Sequence, residues 1–174
     1  MKLTKEDILR LFDLLNESLK QDKIVGELYL MGGAVMCLAF NARASTKDID
    51  CVFEPSKIIR EKSTKIAKAN GLAENWLNAG VKGFLSDNAQ FESYLDLSNL
   101  KVLTCKPEYL LAMKCLAMRI GEEFQDEADV MYLLRYLNLE SFDQVLEVIT
   151  CYYPKERFPQ KTFCALEEMV TSKT

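Results

Sequence analysis

The sequence predicts an α+β protein, with strands and helices mixed over the first hundred or so residues and a wholly helical tail behind them. Three observations carry this. Strand-length apolar runs at 27–31, 48–53 and 100–104 all lie early in the chain. Apolar residues at helical spacing recur between those runs and throughout the remainder. Helix starts and stops at Thr4, Gly71, Pro107, Gly121 and Ser141 punctuate the pattern. The expected organisation is a core over 1–105 and a helical region over 106–174, packed on it or continuous with it.

Thr4 can cap a first helix, with Glu6 and Asp7 in its first turn and Ile8, Leu11, Phe12, Leu15 and Leu19 along one face. The run 27–31 reads as a strand entering Gly32-Gly33, and 34–40 as a short buried helix. A polar loop, 41–47, leads to a strand over 48–53 that Glu54-Pro55 ends. Ser56 is the expected cap of a helix to Asn70, stopped by Gly71. The stretch 73–96 is ambiguous, holding a short helix and one or two strands. After a strand at 100–104, Pro107 suits the first turn of a helix reaching Arg119. Helices over 125–136, 141–152 and 160–171 follow, with Ser141 and Gln144 as a capping box and Pro154 and Pro159 bracketing the last connection.

Composition narrows the chemistry. The 174 residues are 49% hydrophobic and 28% charged, an ordinary globular balance. A net charge of −4 disfavours a large phosphate-contacting footprint on nucleic acid. Histidine is absent, which removes His-based zinc sites and Ser-His or Cys-His nucleophile systems. The six cysteines form no C-x-x-C pair and read as small core residues of a reduced, cytoplasmic protein. The polar start of the chain predicts no signal peptide, and no apolar run reaches membrane-spanning length.

The residues that carry chemistry sit between 30 and 53. Gly32 and Gly33 lack side chains, so a phosphate can approach their backbone N–H groups where a helix opens. Asp48 and Asp50 are two apart on a strand and project to one face, roughly 6–7 Å apart, with Ile49 turned the other way. Such a pair can hold Mg²⁺ (or Mn²⁺) together with substrate phosphates. Taken singly, the glycines could be a tight turn and the acids an exposed strand end; their order and close spacing make the combination specific. Arg43 and Thr46, in the loop before Asp48, are either ordinary polar residues or contacts to phosphate or base.

The segment 30–34 followed by Arg43-Ala44-Ser45-Thr46-Lys47-Asp48-Ile49-Asp50-Cys51-Val52-Phe53 resembles the signature of the DNA polymerase β-like nucleotidyltransferase superfamily. With Trp76-Leu77-Asn78, 81–85 and 107–114, the chain resembles small prokaryotic nucleotidyltransferase-like proteins related to AbiEii-type toxins. The resemblance implies a small mixed sheet flanked by helices, nucleotide bound at the Gly-Gly turn, and transfer of a nucleoside monophosphate from NTP to an acceptor that it does not fix, RNA, tRNA or protein. It implies a role for Lys114 on the phosphates and for Asp129 in the active site; read from its own apolar neighbours, Lys114 could instead be a snorkelling lysine at the core edge. Asp126 and Asp129 share a helix face and could salt-bridge Lys114 or Arg119. The resemblance also implies a third metal-binding carboxylate on a later strand, for which Asp96 is the choice and Glu92 the other carrier. Two rival expectations remain: a nucleotide- or partner-binding protein without turnover, and a toxin with an antitoxin partner.

Overall fold

The computed structural model describes residues 2–172. The chain forms two units, one built from residues through Leu85 together with Phe91–Cys105, the other from Ser86–Gln90 and the chain from Lys106 onward.

The first unit contains, in order, β1 (Leu3–Thr4), α1 (Lys5–Gln21), β2 (Gly26–Leu30), α2 (Gly32–Leu38), β3 (Ser45–Thr46), β4 (Ile49–Glu54), α3 (Ser56–Asn70), β5 (Leu77–Asn78), β6 (Phe91–Asp96) and β7 (Leu100–Cys105). Five strands form one mixed sheet in the order β5-β4-β2-β7-β6. β4 runs antiparallel to β2 and parallel to β5; β7 runs parallel to β2 and antiparallel to β6. The expected polar loop over 41–47 conceals β3, which pairs antiparallel with β1 in a separate two-stranded ladder. Two-residue strands carry no periodicity, so no sequence pattern announces them.

Thr4 caps α1 as expected: its Oγ1 accepts the Asp7 N–H at 3.2 Å while the Asp7 carboxylate accepts the Thr4 N–H at 3.0 Å. Ser56 does not cap α3. The N-cap is Pro55, held extended, and Ser56 is the first helical residue, its N–H donated to the Glu54 carboxylate at 3.2 Å. Gly71 ends α3 in the left-handed conformation.

The two faces of the sheet differ, and the difference positions the site. Leu28, Leu30, Ile49, Cys51, Phe53, Leu100 and Val102 alternate onto one face and are buried. α1 and α3 cover that face: a side chain at Gly26, in the same row set, would run into Leu19 and Ile59. The alternate residues, Asp50, Val52, Tyr29 and Leu103, form the other face and are only half-buried. Tyr29 meets Phe91 edge-on there, with ring centroids 5.2 Å apart. Trp76 is core and donates its indole N–H to the Ser63 carbonyl at 3.0 Å.

The second unit holds α4 (Pro107–Leu116), α5 (Asp126–Tyr136), α6 (Phe142–Thr150) and α7 (Gln160–Thr171). α4 stops short of Arg119, because the Arg119 N–H and guanidinium both turn to the Asp126 carboxylate at 3.1 and 2.8 Å. Ser141 caps α6 with the expected box: its Oγ accepts the Gln144 N–H, and the Gln144 side chain accepts the Ser141 N–H. Ser141→Ala should therefore cost about 1 kcal/mol, read as a lowered urea midpoint with an unchanged slope. Tyr153, Phe158, Phe163 and Phe142 contact in sequence and join the tail helices. Cys37, Cys51, Cys105 and Cys115 are buried; Cys151 and Cys164 are exposed, so two of the six are not core residues. No helix among the described residues is long and apolar enough to cross a membrane.

Candidate functional site

β2 ends at Leu30, and the next two peptide units turn directly into α2. Gly32 makes the turn with φ +67°, a left-handed conformation that side-chain-bearing residues rarely adopt. A backbone bond from the Met31 N–H to the Asp50 carbonyl, 2.8 Å, fastens the turn to β4. Two contacts define what surrounds the glycines. A Cβ on Gly32 would lie 2.7 Å from Oδ2 of Asp50. A Cβ on Gly33 would lie 2.9 Å from Nη1 of Arg43 and 3.0 Å from Oγ1 of Thr46. The structure thus brings together Gly32, Gly33, Arg43, Thr46 and Asp50; the backbone calls for glycine at Gly32 alone, while at both positions an added Cβ would crowd these side chains.

Asp50 lies on β4, and Asp48 immediately before it. Thr46 Oγ1 donates to the Asp48 carbonyl at 3.1 Å, which shapes the approach to the strand. Lys5 supports the same loop from behind: its ammonium donates to the Leu38 carbonyl at the end of α2 and to Asn41 Oδ1, each at 3.0 Å. Asp48 and Asp50 converge on one group, the side-chain amide of Asn78, whose Nδ2 donates to Asp50 Oδ1 at 3.3 Å and reaches Asp48 Oδ2 at 3.5 Å. Parallel pairing of β4 with β5 sets Asn78 directly beside Asp50. In the sequence Asn78 stands only inside the motif 76–78. Its position beside an acid follows from a two-residue strand that no periodicity reveals; the Asn-x-Gly spacing to Gly80 was the available signal, and the Gly80 N–H does donate to Asn78 Oδ1 at 2.9 Å.

Asp96 does not join this group. It pairs with Lys101, which pairs with Glu27, which pairs with Glu54, at the opposite end of the sheet from Asp50. Strand geometry puts it roughly 20 Å away. Glu92 is at the correct end, but it shares a row with Thr104, Leu30 and Cys51 and so projects from the face opposite Asp50. A β-bulge between Ser93 and Leu95 shifts this strand's register, which the sequence did not disclose. Among the described residues, no third His, Cys, Asp or Glu completes a metal-holding cluster with the pair. Two carboxylates without a third still suit Mg²⁺, which commonly takes one or two carboxylates and draws its other ligands from phosphates and water.

Lys114 and Asp129 meet each other in the second unit. The ammonium lies 2.7 Å from Asp129 Oδ2 and 3.8 Å from Asp126 Oδ1, with all three side chains largely buried. Arg119 holds Asp126 from the other side. Burial alone would raise the Asp126 carboxyl, but hydrogen bonds from Arg119 and the Lys114 charge outweigh it and bring its pKa below the ordinary carboxylate value. An unaided cysteine nucleophile finds no support in the core: burial, and secondarily the Asp50 charge, push the Cys51 thiol well up, and burial raises Cys37 and Cys115 as well.

Comparison of the chain with protein-family models, with curated proteins and with solved structures yields no match.

Proposed function

We propose that the first unit is a metal-dependent nucleotidyltransferase, moving a nucleoside monophosphate from NTP to an acceptor oxygen. One observation supports the reading: the Asp50 carboxylate, one of the two acids, lies against Gly32 of the glycine turn, where we place the phosphates. Backbone N–H groups of Gly32 and Gly33, with Arg43 and Thr46 beside them, suit the triphosphate. Asp48 and Asp50 would hold Mg²⁺ (or Mn²⁺), which when bound neutralises phosphate charge and activates an attacking oxygen. The acceptor oxygen attacks the α-phosphorus, the bond to the β-phosphate bridging oxygen breaks, and pyrophosphate leaves. The acceptor proton passes to water. The chain's own contribution is positioning and electrostatic stabilisation. Lys114 and Asp129 are not needed for this reading, since they neutralise each other.

The test is calorimetric titration with a non-hydrolysable NTP, with and without Mg²⁺, followed by transfer assays with labelled NTP and RNA or protein acceptors. Affinity should depend on Mg²⁺, and Asp50→Asn should make it indifferent to the metal. Affinity that ignores Mg²⁺ in the native protein would defeat the reading. Asn78, a neutral group beside the acids, favours one alternative, a nucleotide-binding protein without turnover; Mg²⁺-dependent binding without transfer to any acceptor would select it.

A further inference from the structure

We infer that Asn78 is a positioning residue that restricts the acid pair to a single divalent cation. The inference rests on the nucleotide reading of the site and adds its metal count. The orientation of the amide decides the matter. Asn78 Oδ1 accepts the Gly80 N–H at 2.9 Å, a bond only the oxygen can make, so the NH₂ end must face the carboxylates. From there Nδ2 reaches Asp50 Oδ1 at 3.3 Å and Asp48 Oδ2 at 3.5 Å. The partial positive charge of an N–H donor therefore occupies the flank of the pair lying toward β5. A cation on that flank would face amide hydrogens instead of lone pairs.

Position 78 is also where a third carboxylate would stand, because the β4–β5 register sets it directly beside Asp50 on the same face. A two-cation centre, with ions about 3.5–4 Å apart, needs anionic ligands on both flanks of the shared acids. On the flank toward β5 this site offers a neutral donor in place of a third carboxylate, and Asp50 Oδ2 lies toward Gly32. A single cation would be held by Asp48 and Asp50 on the side away from the Asn78 amide, together with the phosphates it accompanies. The amide meanwhile holds the two acids on a common side when no metal is bound, so little rearrangement is needed to accept one.

The test counts Mn²⁺ by electron paramagnetic resonance during titration of the full chain with a non-hydrolysable NTP. The native protein should hold one Mn²⁺ per chain with its nucleotide. Asn78→Asp keeps the acceptor for Gly80 and replaces the donor by a charge; it should hold two. It should also show a larger rise in thermal midpoint with Mn²⁺ alone than the native protein shows. Asn78→Ala should keep a count of one with affinity weakened on the order of 10–100-fold, the usual effect of removing a group that orients metal ligands. Two Mn²⁺ in the native protein, or one in Asn78→Asp, would overturn the inference and leave the nucleotide reading standing. No bound Mn²⁺ or nucleotide in the native protein would overturn both.

Discussion

Replacing Lys114 by Met should destabilise the protein by about 3–5 kcal/mol, the usual cost of removing one partner from a buried charge cluster. The side chain is only 11% exposed and its ammonium lies 2.7 Å from an Asp129 carboxylate that is itself 4% exposed. Methionine matches the stem in length, so little packing is lost and the effect isolates the charge. In a chain of this size the midpoint should fall by roughly 10 °C or more. Lys114→Met combined with Asp129→Leu should recover part of the loss, because it removes both charges together. The pH dependence gives a second signature. Asp126 has a lowered pKa, so its stabilising contribution is fully present above the unfolded-state value near 4 and is lost as pH falls through the native value. Lys114 is one cause of that lowering, so the gap between native and variant proteins should narrow below about pH 4. A variant that melts like the native protein but loses nucleotide affinity would instead assign Lys114 to the phosphates.

Long periodic segments were legible in the sequence. The face of α1 from Ile8 to Leu19, the stop at Gly71, the box at Ser141 and the bounds of α7 each follow from a local rule, with several turns of helix reinforcing it. What was not legible depended on long-range pairing. β3 and β5 have two residues each and exist because β1 and β4 supply partners. α4 ends early because Asp126, seven residues beyond Arg119, captures that residue's N–H. A helix-propensity argument contains no term for such a competitor.

The candidate site divides along the same line. Gly32, Gly33, Asp48 and Asp50 are close in sequence, so turn chemistry and strand alternation alone suffice to relate them. Choosing a further ligand required the register of two other strands. Asp96 and Glu92 fail for different reasons, one by lying at the wrong end of the sheet and one by facing the wrong way. Asn78 takes the flank beside Asp50 through a ladder of two residues. The bulge on β6 compounds the difficulty, since a single-residue shift reverses every side chain beyond it.

Gly32→Ala and Gly71→Ala should lose similar stability and differ sharply in nucleotide affinity. Both glycines are left-handed, with φ of +67° and +64°, so alanine meets the same backbone strain at each, about 1–2 kcal/mol. At Gly71 nothing lies within 4 Å of the added carbon. At Gly32 the carbon would lie 2.7 Å from Asp50 Oδ2, well inside contact distance. The backbone there is held by the Met31–Asp50 hydrogen bond, so the carboxylate is the part that must swing away. Its rotation costs little in folding, because the atom displaced is the end of a half-buried side chain. It would cost the site its geometry: the acid that faces the glycine turn would no longer face it, and a methyl group would stand where a phosphate is expected. Affinity for Mg²⁺ with a non-hydrolysable NTP should fall on the order of 10–100-fold in Gly32→Ala and stay at the native value in Gly71→Ala. Equal affinities, at matched stability, would mean that the contact between Gly32 and Asp50 serves the fold alone.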